Sequence, residues 1–462
     1  MRQPRFPRYR TQNNALAYAS TGMACLDLFS VAGAARRHPA QLVSLFERAY
    51  QQEPQLALRV LLWLRDARGG AGERQSFRNL FHWLERRHPK VALALLDSGV
   101  LSKLGRWDDL LCVSRPASWV SVIFQVKRAL DAGDRLCAKW MPRSGPVAAR
   151  IYRALGLNQQ AWRKRLVALS DTVEQQVCAG HFEAIRYKAV PSVAAARYQR
   201  LFRTRDFERY TDFIEAVKAG RACMKAGAVF PHTVLQASRH DDDAATAQWS
   251  QLPRPAIAGR VVPVCDVSAS MTCPAAGNVT AMEVCIALGL LLAESNGGEL
   301  QDQVITFSSE PSWHRIQGRT LLERYTSLRN AHWGGSTNLV ATFDLLLARA
   351  KHNPDFVMPE YLVVFSDMEF NQADYHNDSP LQEIRKRFAA TGQSMPHLVF
   401  WNLAGRAGNL PAGNEEGVTL VSGFSPSIMA KLFEGNLAAL SPEALMREVL
   451  AAPRYDVAGV TA

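Results

Sequence analysis

The sequence predicts an α-helical solenoid followed by a doubly wound α/β domain. Three observations carry this. Between about Gln41 and Val234, apolar residues recur at three- and four-residue steps, the period of an amphipathic helix. From Arg260 onward, β-branched runs alternate with helical stretches, the rhythm of βα units around a mostly parallel sheet. The charge changes sign at the same place. Residues 1–250 hold 39 Lys and Arg against 21 Asp and Glu, a balance of +18; residues 251–462 hold 15 against 21, a balance of −6. Such asymmetry points to two parts with different jobs.

The chain begins with a basic tail, residues 1–20, whose first ten residues include four arginines. It reads as a solvated segment or as a contact for an anionic partner. Residues 21–239 form the helical part. LVSLFERAY, LALRVLLWLRDA, SFRNLFHWLERRH and VALALLD each carry helical spacing. Gln52–Pro54, Gly69–Gly72, His88–Pro89 and Gly105 punctuate them. Helix pairs with short turns over some two hundred residues suggest a HEAT-type solenoid or ring, with a compact helical bundle as the alternative. A polar HDDD run and then LPRPAIAG mark residues 240–258 as a linker.

Residues 259–440 form the α/β domain, and 441–462 a final helix and tail. RVVPVCD, DQVITFS, EYLVVFSDM, HLVFWNL and GVTLVSG read as strands. TAMEVCIALGLLLAES, TNLVATFDLLLARA, PLQEIRKRFAATG and SPSIMAKLFEG read as helices. In such folds ligands gather beyond the carboxyl ends of the strands. Asp266, Ser268 and Ser270 fall just past the first strand, Asp367 ends a central strand, and Thr337 closes a GGST turn entering a helix. Carboxylate and hydroxyl oxygens are what a hard cation takes, so these five are the expected ligands of Mg²⁺ or Mn²⁺. The structural alternative is that both aspartates cap helices. DxSxS alone is weak. DxSxS, GGST and a strand ending in SD, in that order, are much more specific.

This pattern resembles the metal-ion-dependent adhesion site of von Willebrand factor A domains. Its DxSxS falls on Asp266, Ser268 and Ser270, its threonine on Thr337 and its later aspartate on Asp367. The likeness extends from about Thr21 to Gly435. RDARGGAGER, GRWDDLL, IRYKAVPS, CDVSASM, WGGSTN and VVFSDMEFNQA look like a family of unknown function related to the TROVE-domain Ro proteins. That resemblance implies a ring of HEAT-like helices closed by the von Willebrand A domain. It also implies small structured non-coding RNA on a basic outer surface, and single-stranded ends in the central hole.

Two basic segments are the candidate RNA contacts. Arg65, Arg68 and Arg74 lie in a glycine-rich turn, where ion pairs with Asp66 and Glu73 are the alternative. Arg186, Lys188, Arg197 and Arg200 are interleaved with tyrosines, a pattern suited to phosphates and stacked bases. Asp108 is expected to cap the helix after GRW, with Trp107 packed beside it.

The function expected is a non-enzymatic RNA-binding scaffold, monomeric and in the cytoplasm. A module that captures an acidic protein partner or a nuclease at the metal is the alternative. A metal-dependent hydrolase using His314, His332 or Glu369 is the remotest reading, because no nucleophile–base pair accompanies them. No run reaches the roughly 18 apolar residues of a membrane span. The eight cysteines have no CxxC spacing, which suits a reducing compartment.

Overall fold

The computed structural model describes residues 8–11, 13–257, 259–307, 310–331, 338–371, 379–405, 409–425, 428–429, 441–457 and 459–460. A short hairpin comes first, β1 (Arg8–Arg10) paired antiparallel with β2 (Leu16–Tyr18). The helices α1 (Ala24–Ala32), α2 (Pro39–Gln52), α3 (Pro54–Arg65), α4 (Arg74–Arg87), α5 (Pro89–Asp97), α6 (Val100–Leu104), α7 (Pro116–Asp131) and α8 (Arg135–Trp140) follow. Next come α9 (Gly145–Ala154), α10 (Gln159–Ser170), α11 (Val173–Ala179), α12 (Ser192–Arg205), α13 (Phe207–Lys218), α14 (Pro231–Ser238) and α15 (Asp242–Ser250). Proline opens α2, α3, α5, α7 and α14, where its missing N–H has no intrahelical partner to lose. The four helical sequences singled out above are α2 to α5, and their punctuators fall at the observed ends.

Two expectations for this part change. Residues 240–258 begin with a helix rather than a linker. Asp241 caps α15 by accepting from the Ala244 N–H at 3.1 Å, and Asp242 and Asp243 place negative charge in its first turn. Arg203 of α12 grips Asp241 at 2.9 and 3.1 Å. The HDDD run is therefore a helix start. The described part of the basic tail is not loose either. Thr11 Oγ1 donates to the Phe370 carbonyl at 2.8 Å, Asn13 Nδ2 to the Glu369 carbonyl at 2.7 Å, and Tyr18 exchanges backbone bonds with Leu410.

The C-terminal part is a mixed sheet of mostly parallel strands. Its members are β3 (Val261–Asp266), β6 (Gln303–Phe307), β7 (Ser312–Arg315), β8 (Tyr361–Ser366), β9 (His397–Asn402) and β10 (Val418–Ser422). A small ribbon, β4 (Pro274–Ala276) and β5 (Val279–Thr280), lies outside it. The order is β10-β9-β8-β3-β6-β7, with only β7 antiparallel, at the edge. The helices are α16 (Ala281–Ser295), α17 (Leu321–Arg329), α18 (Leu339–His352), α19 (Pro380–Thr391) and α20 (Pro442–Leu450). Every strand expected from the sequence is present; β7, the β4–β5 ribbon and α17 are additions, and the expected helix SPSIMAKLFEG lies almost wholly outside the described residues.

Both faces of the sheet are covered, which is why its strands are continuously apolar. Val262, Val264, Leu362, Val364, Leu398 and Phe400 pack with Phe343 and Leu346 of α18 and Ile384 and Phe388 of α19. Val261, Cys265, Val363, Phe365, Val399 and Trp401 face the other way, into one core that also holds α16, α20 and the first helices. The two halves thus share a hydrophobic core.

Close contacts fix that junction. The Gly33 N–H, ending α1, donates to Ser422 Oγ at 3.0 Å, and a Cβ at Gly33 would lie 2.5 Å from the Ser422 carbonyl oxygen. Arg447 of α20 pairs with Glu53 at 2.8 Å, and Tyr455 donates to Asp66 at 2.9 Å. At the other end of the helical part, α14 packs on α16, where Arg239 pairs with Glu283.

His232 is buried at this junction between Phe230 and Phe424. Burial, then the nearby Arg36 charge, push its pKa down to about 3. The folded protein keeps it neutral while the unfolded chain binds a proton below about 6.5. Stability is therefore lost as pH falls from about 6.5 toward 3. The thermal midpoint should drop between pH 7.5 and 5, and His232→Leu should shrink that drop. An equal drop in the variant would remove His232 from the account.

Candidate metal centre

The strand order reverses between β3 and β8, where an open α/β sheet leaves a crevice at its carboxyl end. Asp266 ends β3, and Ser366 with Asp367 end β8, so the crevice receives both aspartates. Asp266 is fully buried and Asp367 is 7% exposed. Ser268 N–H donates to Asp266 Oδ1 at 3.0 Å, which folds the chain back after the strand. Ser366 Oγ donates to Asp266 Oδ2 at 2.6 Å and accepts from the Met368 N–H at 3.0 Å. Met368 holds φ of 66°, and the Glu369 N–H returns to Asp367 Oδ1 at 3.1 Å. These turns aim the carboxylates rather than leave them to rotate.

The serines complete the group. Ser268 and Ser270 hydroxyls lie 3.0 Å apart, the first buried, the second exposed. Four of the five expected ligands are thus on one rim; Thr337 lies outside the described residues. The helix expected to open at Thr337 is capped by Asn338, which accepts from the Ala341 N–H at 3.0 Å.

Electrostatics define what this rim lacks. Neither aspartate forms an ion pair with a described Lys or Arg. Burial, then the Asp367 charge, raise the Asp266 pKa well above the usual carboxylate range, while the hydroxyls of Ser268 and Ser366 hold it down. Buried charges are ordinarily paired or bound to metal. An oxygen-only set of two carboxylates and hydroxyls fits a hard divalent cation. Among the described residues no group of three or more His, Cys, Asp or Glu could hold a metal ion, here or elsewhere, so a cation at this rim would depend on the hydroxyls as well as the two carboxylates.

Sequence reasoning undervalued Ser366 and missed the hairpin. Ser366 reads as an ordinary strand end, yet it is the hydroxyl that orients Asp266. Thr11 and Asn13 hold residues 369–370, just beyond Asp367, and nothing local in the sequence announces a contact across 356 to 359 positions. Glu369 uses its backbone at both ends of this arrangement. His314 lies on edge strand β7, tied to Ser327 at 3.1 Å, and His332 is outside the described residues.

The expected RNA contacts divide. Arg65 is buried at 3% exposure and bound to Asp109 at 2.6 Å, so it faces no ligand. The pairs foreseen for that turn are also different. Asp66 takes Arg454 and Tyr455, and Glu73 takes Arg36. Asp109, not Asp108, closes the turn after GRW, by accepting from the Arg106 N–H at 2.8 Å. Asp108 instead binds Arg106 and Arg78. Arg68 and Arg74 are exposed, Arg68 donating to the Lys103 carbonyl at 3.4 Å and Arg74 lying 4.0 Å from Asp108. Arg186, Lys188, Arg197 and Arg200 are exposed, and none pairs with a described carboxylate. Tyr187, however, is buried and donates to Asp206 at 2.7 Å, so it is core rather than a stacking surface.

Comparison with known proteins divides the chain at the same point. Residues 11–111 and 135–257 match a domain of unknown function (DUF2828), and residues 260–449 match another (DUF7788). The two halves match two families, neither of known function. The break between them falls between α15 and β3. An uncharacterised protein of Acanthamoeba polyphaga mimivirus, L728, is 27% identical over 505 residues, covering 95% of this chain and 86% of that protein. Among solved structures, the Ro (RSR) protein of Deinococcus radiodurans aligns over 90% of this chain and 92% of that one. Its identity is 16% and its TM-score 0.37, a likeness too distant to carry an argument.

Proposed function

We propose that this chain is a non-enzymatic, Ro-like RNA-binding scaffold. In this reading the helical half is a HEAT-like array that takes a small structured RNA. The α/β half is a von Willebrand A-like domain with Mg²⁺ or Mn²⁺ at Asp266, Ser268, Ser270, Thr337 and Asp367. The observation that carries the RNA reading is the set of exposed cations at Arg186, Lys188, Arg197 and Arg200, none paired with a described carboxylate, within a half of net charge +18. Unneutralised cations are what release counterions from a phosphate backbone.

The test is crosslinking and immunoprecipitation from the protein's own cells, with sequencing of bound RNA. A few small structured RNAs are expected, lost when these four cations become alanine. Recovery of no RNA, or of the same RNA with the variant, removes the reading.

The two buried, cation-free carboxylates beside exposed Ser270 favour a second role for the metal rim, the capture of an acidic group on a protein partner. A partner retained with Mg²⁺ and lost with EDTA is expected. Both roles are compatible in one chain.

A further inference from the structure

The helical half contains a groove of about 560 Å³, separate from the aspartate rim and walled in part by Gly105, Arg106 and Trp107 of the GRWDDLL motif. It lies between α6, α7 and α8. Lys103, Arg106, Trp107, Arg128, Leu136 and Trp140 line it. Its volume falls in the range of about 300–1,000 Å³ typical of small-molecule sites.

Its cations are of two kinds. Lys103 and Arg128 are exposed and pair with no described carboxylate. Arg106 is fixed. Its Nε donates to Asp108 Oδ1 at 2.9 Å, and its guanidinium lies 3.7 Å over the Trp140 ring. A guanidinium backed by an indole is a preorganised plane, and planes of this kind stack on bases. The one acidic residue among the described lining residues, Asp134, spends its carboxylate on capping α8, accepting from the Cys137 N–H at 2.9 Å.

We propose that this groove binds a nucleotide, its base against the Arg106–Trp140 pair and its phosphate against Lys103 and Arg128. The nucleotide is free or part of a single strand; the chemistry recognised is the same. The proposal rests on the RNA-binding reading and adds a site to it. A second groove, of about 290 Å³, shares Leu136 as a wall. It is less apt: Lys139 is bound to Glu174 at 2.9 Å, and Arg135 lies 3.9 Å from Asp171. Its Arg186 pairs with no described carboxylate, so a strand crossing α8 gains one further cation and should outbind a mononucleotide.

The test uses the full chain and a short fluorescein-labelled oligouridylate, read by anisotropy against salt. For Lys103→Ala with Arg128→Ala, affinity should fall at least about tenfold. The slope of log affinity against log salt should fall by about 0.7, the value for one phosphate contact on a single strand. Trp140→Leu should weaken binding with the salt slope intact, as loss of stacking does. AMP competing for the site identifies a free nucleotide as sufficient; strand binding that AMP leaves untouched, yet Trp140→Leu weakens, identifies the strand. Affinity and slope unchanged in the double variant overturn the proposal. Transfer RNA still bound by that variant leaves the scaffold reading standing, and a wild-type chain that binds neither RNA removes both.

Discussion

Asp109→Ala is expected to cost about 3–5 kcal/mol of stability, the range for removing one partner of a buried ion pair. Asp109 is 1% exposed and Arg65 3%. One carboxylate accepts from Arg65 Nε at 2.6 Å, from Arg78 at 2.9 and 3.1 Å, and from the Arg106 backbone at 2.8 Å. Its removal leaves the buried Arg65 guanidinium without its hydrogen-bonded carboxylate. Solvent cannot enter easily, because Gly105 approaches so closely that a Cβ there would lie 2.8 Å from Arg65 Nε. Urea unfolding of wild type and variant measures the cost. Arg65→Met combined with Asp109→Leu should recover part of it, since replacing both charges removes the desolvation they share. A single variant within about 0.5 kcal/mol of wild type would show that the pair is solvated. The turn RDARGGAGER would then need another explanation than this anchor.

The second large effect belongs to the candidate metal rim. Mg²⁺ at about a hundred times its dissociation constant should stabilise the wild-type protein by about 2.7 kcal/mol through binding the folded state alone. Asp266→Ala should abolish that response. The variant without metal should be no less stable than metal-free wild type, because it no longer buries a carboxylate against Asp367. That combination separates a lost ligand from a damaged fold. Thermal midpoints with and without Mg²⁺ measure both. Ser270→Ala should weaken the response and keep it, since Ser270 is exposed and uncharged. If Asp266→Ala retained the full Mg²⁺ shift, the cation would be bound elsewhere.

Much of this was legible because it is local. Helix starts are written in Pro39, Pro54, Pro89 and Pro116, and the strands in apolar runs that only a sheet covered on both faces requires. Asp266 and Asp367 were legible because strand ends converge at a switch point whatever lies between them. What stayed hidden depends on distant partners. Arg65 looks like a surface arginine in a glycine-rich turn until Asp109, forty-four positions on, takes it inside. Asp241–Asp243 reads as linker polarity until Arg203 supplies the charge that makes it a cap. The hairpin at residues 8–18 carries no pattern long enough to predict its place beside residues 369–371. The Arg106–Trp140 stack needs two segments thirty-four positions apart, and no spacing rule connects them.

The joining of both chain ends to far segments has a consequence for biosynthesis. Thr11 waits for Phe370, Gly33 for Ser422, and Asp66 for Tyr455, a separation of 389 residues. At ribosomal rates of about 5–20 residues per second, that last interval is roughly 20–80 s. Through it the apolar face of α1 has no sheet to cover it. The N-terminal half cannot complete its core as it emerges, so vectorial folding, half by half, is closed to this chain. Nascent chains should therefore be chaperone clients until Tyr455 has left the exit tunnel.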